Sequence, residues 1–395
     1  MSSAAKTVRE PNAHRRVKLA ELVEFRRGLT YKKRDEVDQS SNAVLRANNI
    51  DLLSGRLDLG DIRYIDAAID VPAGKKLEAG SILICTASGS RSHLGKAAYI
   101  DSPMDYAFGG FMGLLVPCNA LYGKYLHYFM RSVEYWQFLE GLAGGTNINN
   151  LKFRDLGELT VPIPEIDEQK RIVAVLDQAF AALDRVSDHT QTNIDNSVSL
   201  FESWLKLALN LGEHSWPIRR LSQIAENLDR KRVPITKKDR KKGTIPYYGA
   251  SGVVDYVADH IFDEDLLLIS EDGANLLART YPIAFSISGK SWVNNHAHVL
   301  RFDDFDSQEF VQLYLNSISI APFVSGMAQP KLNQKALGQI EIPYPPLEER
   351  KRFVAAAAAV WQRAQSAKCA YEQRLANTNS LKESLLQRAF AGKLA

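Results

Sequence analysis

Few residues in this sequence are spaced to make or break bonds, and the ones that come nearest fail on a specific requirement. SISGKSW at residues 286–292 contains Gly-Lys-Ser, but a phosphate-wrapping loop needs a glycine five positions before Gly289, and Ala284 stands there. His296 and His298 would project to one side of a strand as some metal ligands do. No third ligand follows by spacing, so structural histidines at a strand edge are the better reading. No G-x-S-x-G, H-E-x-x-H or Asn/Asp-Pro-Pro-aromatic motif occurs among the 395 residues, which include only eight histidines. A catalytic role for this chain is therefore the weaker hypothesis.

The positive signals are those of nucleic-acid binding. FRRGLTYKKR carries Arg26, Arg27, Lys32, Lys33 and Arg34, and DRKRVPITKKDRKK carries Arg230, Lys231, Arg232, Lys237 and Lys238. Either run alone is more often a solvated face, but both follow a similar opening element in their half of the chain. Such cations contact phosphates and supply affinity without sequence information. Base-reading side chains must then come from the glycine-rich loops, where backbone can approach a groove. Candidates are Ser88, Ser90, Arg91 and His93 in residues 86–96, Asn147 and Asn149 in 144–150, and Tyr248 and Ser251 in 247–252. Further candidates are Glu271 and Asp272 in 270–275, Lys290, Trp292 and Asn294 in 289–295, and Gln329 and Lys331 in 325–331. Arg and Lys suit guanine, Asn and Gln adenine, and Glu or Asp cytosine. Taken singly, each loop reads slightly better as an ordinary turn with a capping Asn or Ser.

The elements that must hold these loops emerge from composition and repetition. The chain has 49 Lys+Arg against 46 Asp+Glu and 45% hydrophobic residues, which excludes wholesale disorder and a uniformly basic protein. Cys85, Cys118 and Cys369 form no C-x-x-C pair, which argues against a disulfide framework and a cysteine zinc site and for a reducing cytoplasm. No apolar run is long enough to span a membrane, and residues 1–16 have no apolar signal region and are expected to be disordered. A shift of 181 positions aligns residues 145–211 with 326–392 without a gap, and 18 of the 67 pairs are identical, where about 4 would match by chance. Upstream, residues 17–164 and 217–346 differ in length and sequence, so similar frames hold dissimilar inserts with mixed strand and helix patterns.

Each insert ends in an X-Pro-X-Pro element, VPIPEIDEQ or IPYPPLEER, and the acidic residues that follow favour a helix start. The first helix is expected over residues 167–210. Its apolar stripe opens with Ile172, Leu176, Ala179, Leu183 and Val186, passes polar Thr190, Asn193 and Ser197, and closes with Leu200, Trp204, Leu207 and Leu211. The second follows Phe353, Ala357, Val360, Ala364, Ala367 and Tyr371, then Leu381 and Leu385. Helices of about 44 residues, roughly 65 Å long, need a partner, and the nearest is the other copy packed antiparallel.

This combination resembles the specificity subunits of type I restriction-modification systems over essentially the full chain. The likeness is carried by PIPEIDEQKRIVAVLD, PYPPLEERKRFV, LLQRAFAGKL, AGGTNINNLKFRDLGELTVPIP, DGANLLART and GKSWVNNHAHVLRF. It implies an α/β fold class: two globular target-recognition domains (17–164 and 213–346) separated by two long antiparallel, coiled-coil-like helices (165–212 and 347–395), with a pseudo-twofold internal repeat. Each domain would read one half of a split target in double-stranded DNA. The helices would set the spacer and dock two methyltransferase subunits, with Glu168, Lys170, Arg171, Glu349, Lys351 and Arg352 as partner-binding candidates. The chain would carry no cofactor. S-adenosylmethionine, ATP and Mg²⁺ would belong to the modification and restriction subunits, which methylate adenine N6 and cut unmodified DNA. Arg350 departs from the family's usual Gln, present here as Gln169, and LKLALNLGE departs from LLQRAFAGKL. The alternatives are a related two-site system, a free-standing DNA-modifying enzyme and a helical scaffold.

Overall fold

The computed structural model describes residues 14–52, 54–90, 93–143, 150–209, 215–326 and 329–394. The chain divides into two compact units, Met1–His189 with Arg374–Ala395, and Thr190–Gln373. The division falls inside both long helices, Ile166–Ala208 and Leu347–Phe390, so each unit holds the start of one and the end of the other. In unit 2 they run antiparallel: Phe201 packs on Trp361 at 4.9 Å and Trp204 on Phe353 at 5.7 Å. In unit 1 Lys382 reaches Asp184 at 2.8 Å, and Phe390 closes on Tyr125 and Phe129. Among the described residues no helix is long and apolar enough to cross a membrane.

Continuous apolar runs form the central strands because both of their faces are covered. Ile82–Cys85 and Leu266–Ser270 are buried at every position. Each is an inner strand of a four-stranded antiparallel sheet. The order is Val23–Arg27, Met112–Pro117, Ile82–Cys85, Ala97–Tyr99 in unit 1, and Glu226–Asn227, Ala297–Arg301, Leu266–Ser270, Ala284–Ile287 in unit 2. The registers correspond, Leu83 facing Leu114 as Leu268 faces Val299. A second sheet also recurs. Asn42–Leu45 pairs in parallel with Met104–Phe108, as Lys242–Gly249 does with Lys290–Val293, and Lys76–Leu77 and Phe262–Asp263 flank them in turn. The inserts are thus dissimilar in sequence but alike in topology, since the buried pattern is kept while residue identity is not.

The frame around each insert is duplicated bond by bond. Arg16–Lys18 pairs with Thr160–Pro162, and Ile218–Arg220 with Glu341–Pro343. Leu19 N donates to Leu159 O at 2.7 Å, and Leu221 N to Ile340 O at 2.9 Å. Gln169 is fully buried and its Nε2 donates to Pro164 O at 2.9 Å; Arg350 in the same place donates from Nη1 to Pro345 O at 2.5 Å and stacks on Tyr344. The departure at Arg350 therefore keeps the bond that ties the helix start to the proline segment.

The long helices depart from the expected seam. On the first helix Ile172, Leu176, Phe180, Thr190, Ile194, Ser197 and Leu205 are buried, as is Leu209 just beyond its end, whereas Leu200 and Leu207 are 57% and 67% exposed. On the second, Leu386 is buried and Leu381 is exposed. A strict seven-residue repeat drifts about 20° per heptad against a straight α-helix, which moves the buried stripe by one residue over this length. Buried hydroxyls on the stripe bond back one turn: Ser197 Oγ to Asn193 O at 2.7 Å, and Thr378 Oγ1 to Arg374 O at 2.9 Å.

Candidate nucleic-acid interface

In both units the sequence-predicted loops gather at the same end of the four-stranded sheet. In unit 2 the run after Glu226–Asn227, the 270–275 loop, residues 292–296 and residues 329–333 are joined by backbone. Glu271 N donates to His296 O at 2.9 Å, Gly273 N to Pro330 O at 3.0 Å and Leu332 N to Glu271 O at 2.8 Å. The 247–252 loop joins them through Asn294 N to Tyr248 O at 3.0 Å and Ser270 Oγ to Ala250 O at 2.5 Å. Unit 1 repeats the pattern with Thr86 N to Phe111 O at 2.9 Å, Leu151 N to Thr86 O at 2.7 Å and the Ala87–Asn150 bridge.

Several candidates are internal, not groove-facing. Arg232 donates to Glu271 at 2.7 Å and to Ala297 O at 2.7 Å, lies 3.6 Å from Asp229, and has only 13% of its side chain exposed. Glu271 also takes Lys331 Nζ at 3.1 Å, and Asn294 is buried with Oδ1 accepting from His296 N. Burial opposes ionisation of Asp229 and Glu271. Burial is the largest single influence, but the hydrogen bonds and charges of His298, Arg232 and the Val299 N–H on Asp229, and of Arg232, His298 and Lys331 on Glu271, together outweigh it and hold both carboxyls below the usual range. A phosphate contact by Arg232 would have to break this network, so the structure removes it, Glu271 and Asn294 from the contact set.

The buried network also explains the histidines. His298 Nδ1 lies 2.6 Å from Asp229 and Nε2 lies 2.8 Å from Leu332 O, so each ring nitrogen faces an acceptor. Ligand atoms of Asp229, Glu271 and His298 fall within 4.8 Å of one another, but Arg232 and Lys331 already supply positive charge to this triangle. His296 is separate, exposed, and bonded to Asp272 at 2.9 Å. Trp292 donates Nε1 to Val233 O at 2.7 Å, and Tyr248 packs on Phe285.

Arg230, Lys231, Lys237 and Lys238 are exposed in unit 2, as are Ser251, Gln329 and Lys331, while Lys290 is exposed but faces Asp263, toward the opposite end from Ser270. In unit 1 Arg27, Lys32, Lys33 and Arg34 are exposed, while Arg26 is held between Glu24 at 2.7 Å and Glu78 at 2.6 Å. Ser88 and Lys33 line a cleft of about 600 Å³ together with Tyr31, Arg46, Asn48 and Phe111. Ser90 is exposed and accepts from His93 N through its carbonyl. Arg91, Asn147 and Asn149 lie outside the described residues. Sequence reasoning missed Phe111, 73% exposed, because a Phe opening an apolar strand reads as core; the preceding Gly109-Gly110 was the available signal.

The partner candidates sit in the first turns of the long helices. Glu168 pairs with Arg171, Lys351 with Glu348 at 3.0 Å, and Glu349 accepts from Trp216 Nε1 at 2.9 Å. Lys170 and Arg352 are exposed.

Two copies of one α/β unit, each ending in a ring of loops flanked by exposed cations, define a duplicated binding module. The type I restriction modification DNA specificity domain matches residues 14–194 and 213–359, and the chain belongs to that family. It is similar to the type I restriction enzyme StySPI specificity subunit of Salmonella potsdam, 24% identical over 93% of this chain and 86% of that one. It is also 33% identical to the type I restriction enzyme EcoKI specificity subunit of Escherichia coli over 40% of this chain. That match spans 34% of the relative's length, and a 34% identical match to a Haemophilus influenzae relative spans 38% of its length. The fold matches a chain from a study of complex assembly and conformational transition of the type I R-M system. The TM-score is 0.77 at 18% identity, over 97% of this chain and 99% of that one.

Proposed function

We propose that this chain is the DNA sequence-recognition subunit of a type I restriction-modification complex, each unit reading one half of a bipartite target. The observation that carries the reading is the recurrence, in two inserts of unlike sequence, of the same loop cluster beside an exposed basic run. The cations hold phosphates and fix register, and the loops present different side chains to the base edges. The long helices set the spacer between the half-targets. Their first turns, with Glu168, Lys170, Arg171, Glu349, Lys351 and Arg352, dock two methyltransferase subunits, the duplicated frame suiting two copies of one partner.

On this reading the chain is non-catalytic and works in the cytoplasm. S-adenosylmethionine binds on the modification subunits, ATP and Mg²⁺ on motor-nuclease subunits, and adenine N6 is the methylated atom. Mapping methylated adenines in host DNA with and without this chain tests it. Loss of one bipartite motif is the expected result, and an unchanged methylation map would exclude the reading.

A further inference from the structure

We propose that Phe111 is a specificity-determining residue of unit 1, its ring reading the C5-methyl group of a thymine in the major groove. The inference rests on the DNA-recognition function proposed above. Phe111 is 73% exposed at the rim of the 600 Å³ cleft, whose other walls include Tyr31, Lys33, Arg46, Asn48 and Ser88. A single exposed apolar side chain is ordinary. What sets this one apart is its mounting.

The turn that carries it is clamped on every side. Met112 N donates to Gly109 O at 2.8 Å across the turn, and the Phe111 carbonyl accepts from Thr86 N, Thr86 Oγ1 and Ala87 N at 2.9, 2.9 and 3.1 Å. Leu29 N to Phe108 O at 2.7 Å and Gly109 N to Leu45 O at 2.9 Å fix its base. Gly28 passes so close that a Cβ there would stand 1.9 Å from Gly109 O. The ring is thus presented on a backbone that needs no ordering when a ligand arrives, which lowers the cost of contact.

The second observation is the corresponding position in unit 2. There the carbonyl bonded by the inner strand belongs to His296, since Glu271 N donates to His296 O as Thr86 N does to Phe111 O. His296 is polar and paired with Asp272. One fold position therefore presents an apolar ring in one unit and a hydrogen-bonding group in the other, as two readers of different half-targets require. The apolar group that base pairs display in the major groove is the thymine methyl, and Phe is suited to meet it. A half-target methylated at adenine contains at least one thymine opposite that adenine.

The test uses the full chain assembled with its methyltransferase subunits and duplexes of its mapped target. Each thymine in the half read by unit 1 is replaced in turn by deoxyuridine, which removes only the methyl group. At one position the replacement should weaken binding by the unsubstituted protein about fourfold, the contribution of one buried methyl group. Phe111→Ala should bind the thymine duplex about fourfold more weakly and lose the discrimination, whereas Phe111→Leu should retain it. Replacements in the other half should affect all three proteins alike. If Phe111→Ala still discriminated, or if no position separated it from the unsubstituted protein, the proposal would be overturned. A complex that prefers no duplex over random DNA would overturn the recognition function itself, and this inference with it.

Discussion

The two units solve the same geometric problem with different chemistry. At the loop end of its sheet, unit 2 is held by a buried ionic cluster of Asp229, Arg232, Glu271 and His298, with Lys331 at its edge. Strand register places Gly113 of unit 1 where unit 2 has His298. There Phe153 packs against Gly113, stacks on Phe25 at 5.0 Å, and lies beneath Arg27 at 5.8 Å. A Cβ on Gly113 would stand 2.7 Å from that ring. The sheet order survives a change from charge pairing to aromatic packing because it is set by the buried strands, not by the cluster. The loop ends are therefore free to differ, which is what a pair of independent readers needs.

The largest expected effect breaks or proves that independence. Exchanging residues 17–164 for the matching segment of another family member should replace one half-target completely and leave the other unchanged, read by sequencing methylated adenines. A change in both halves would show that the units do not act separately. Next in size is Arg232→Ala, which removes the guanidinium shared by two buried carboxylates, leaving Asp229 to His298 and Glu271 to Lys331 at the cluster's edge, and should destabilise unit 2 by about 3 kcal/mol in urea unfolding. Arg27→Ala in unit 1, removing an exposed cation over a ring, should cost only about 0.5–1 kcal/mol. Equal losses would mean that the ionic cluster does not hold the loop end as argued.

The duplicated frame was legible because identity at 181-residue spacing marks positions where the backbone itself is repeated, such as Pro162 with Pro343 and Gly157 with Gly338. The helix starts followed from proline and acidic residues. The shared topology of the inserts was hidden, since ILIC and LLLIS keep burial without keeping a conserved alignment. Arg232 looked like its basic neighbours because its carboxylate partner lies 39 residues away at Glu271, a pairing that only the sheet creates. The stripe on the first long helix was displaced at Leu200 and Leu207 because the heptad and the α-helical turn differ slightly, and the error accumulates with length.

A smaller effect sharpens the electrostatic side of the comparison. Lys237→Ala with Lys238→Ala in unit 2 should weaken binding to all sequences alike and lower the salt slope by about 1–2, each phosphate contact contributing about 0.9. Lys32→Ala with Lys33→Ala in unit 1 should do the same, because both pairs are exposed on corresponding segments. An unchanged slope for one pair would remove that run from the contact surface.

The last effect, which is graded with pH, concerns the buried histidines. His298 of unit 2 has an acceptor at each nitrogen, whereas His127 of unit 1 is 6% exposed and its Nδ1 has no partner among the described residues. Burial, reinforced by the charges of Arg131 and Lys124, pushes the His127 pKa down to about 3. Between the unfolded value of about 6.5 and that folded value, the unfolded chain binds a proton that the folded chain excludes. Stability from this residue is complete above about pH 6.5 and is lost as the pH falls, by at most about 1.4 kcal/mol per pH unit. Mild acid should therefore loosen unit 1 before unit 2. Hydrogen exchange corrected for intrinsic rates should show protection of residues 112–130 declining from pH 7 to pH 5. His127→Phe, which keeps a ring in the site without a titrating group, should flatten that decline; an equal decline in the variant would show that exclusion of the charge is not its cause.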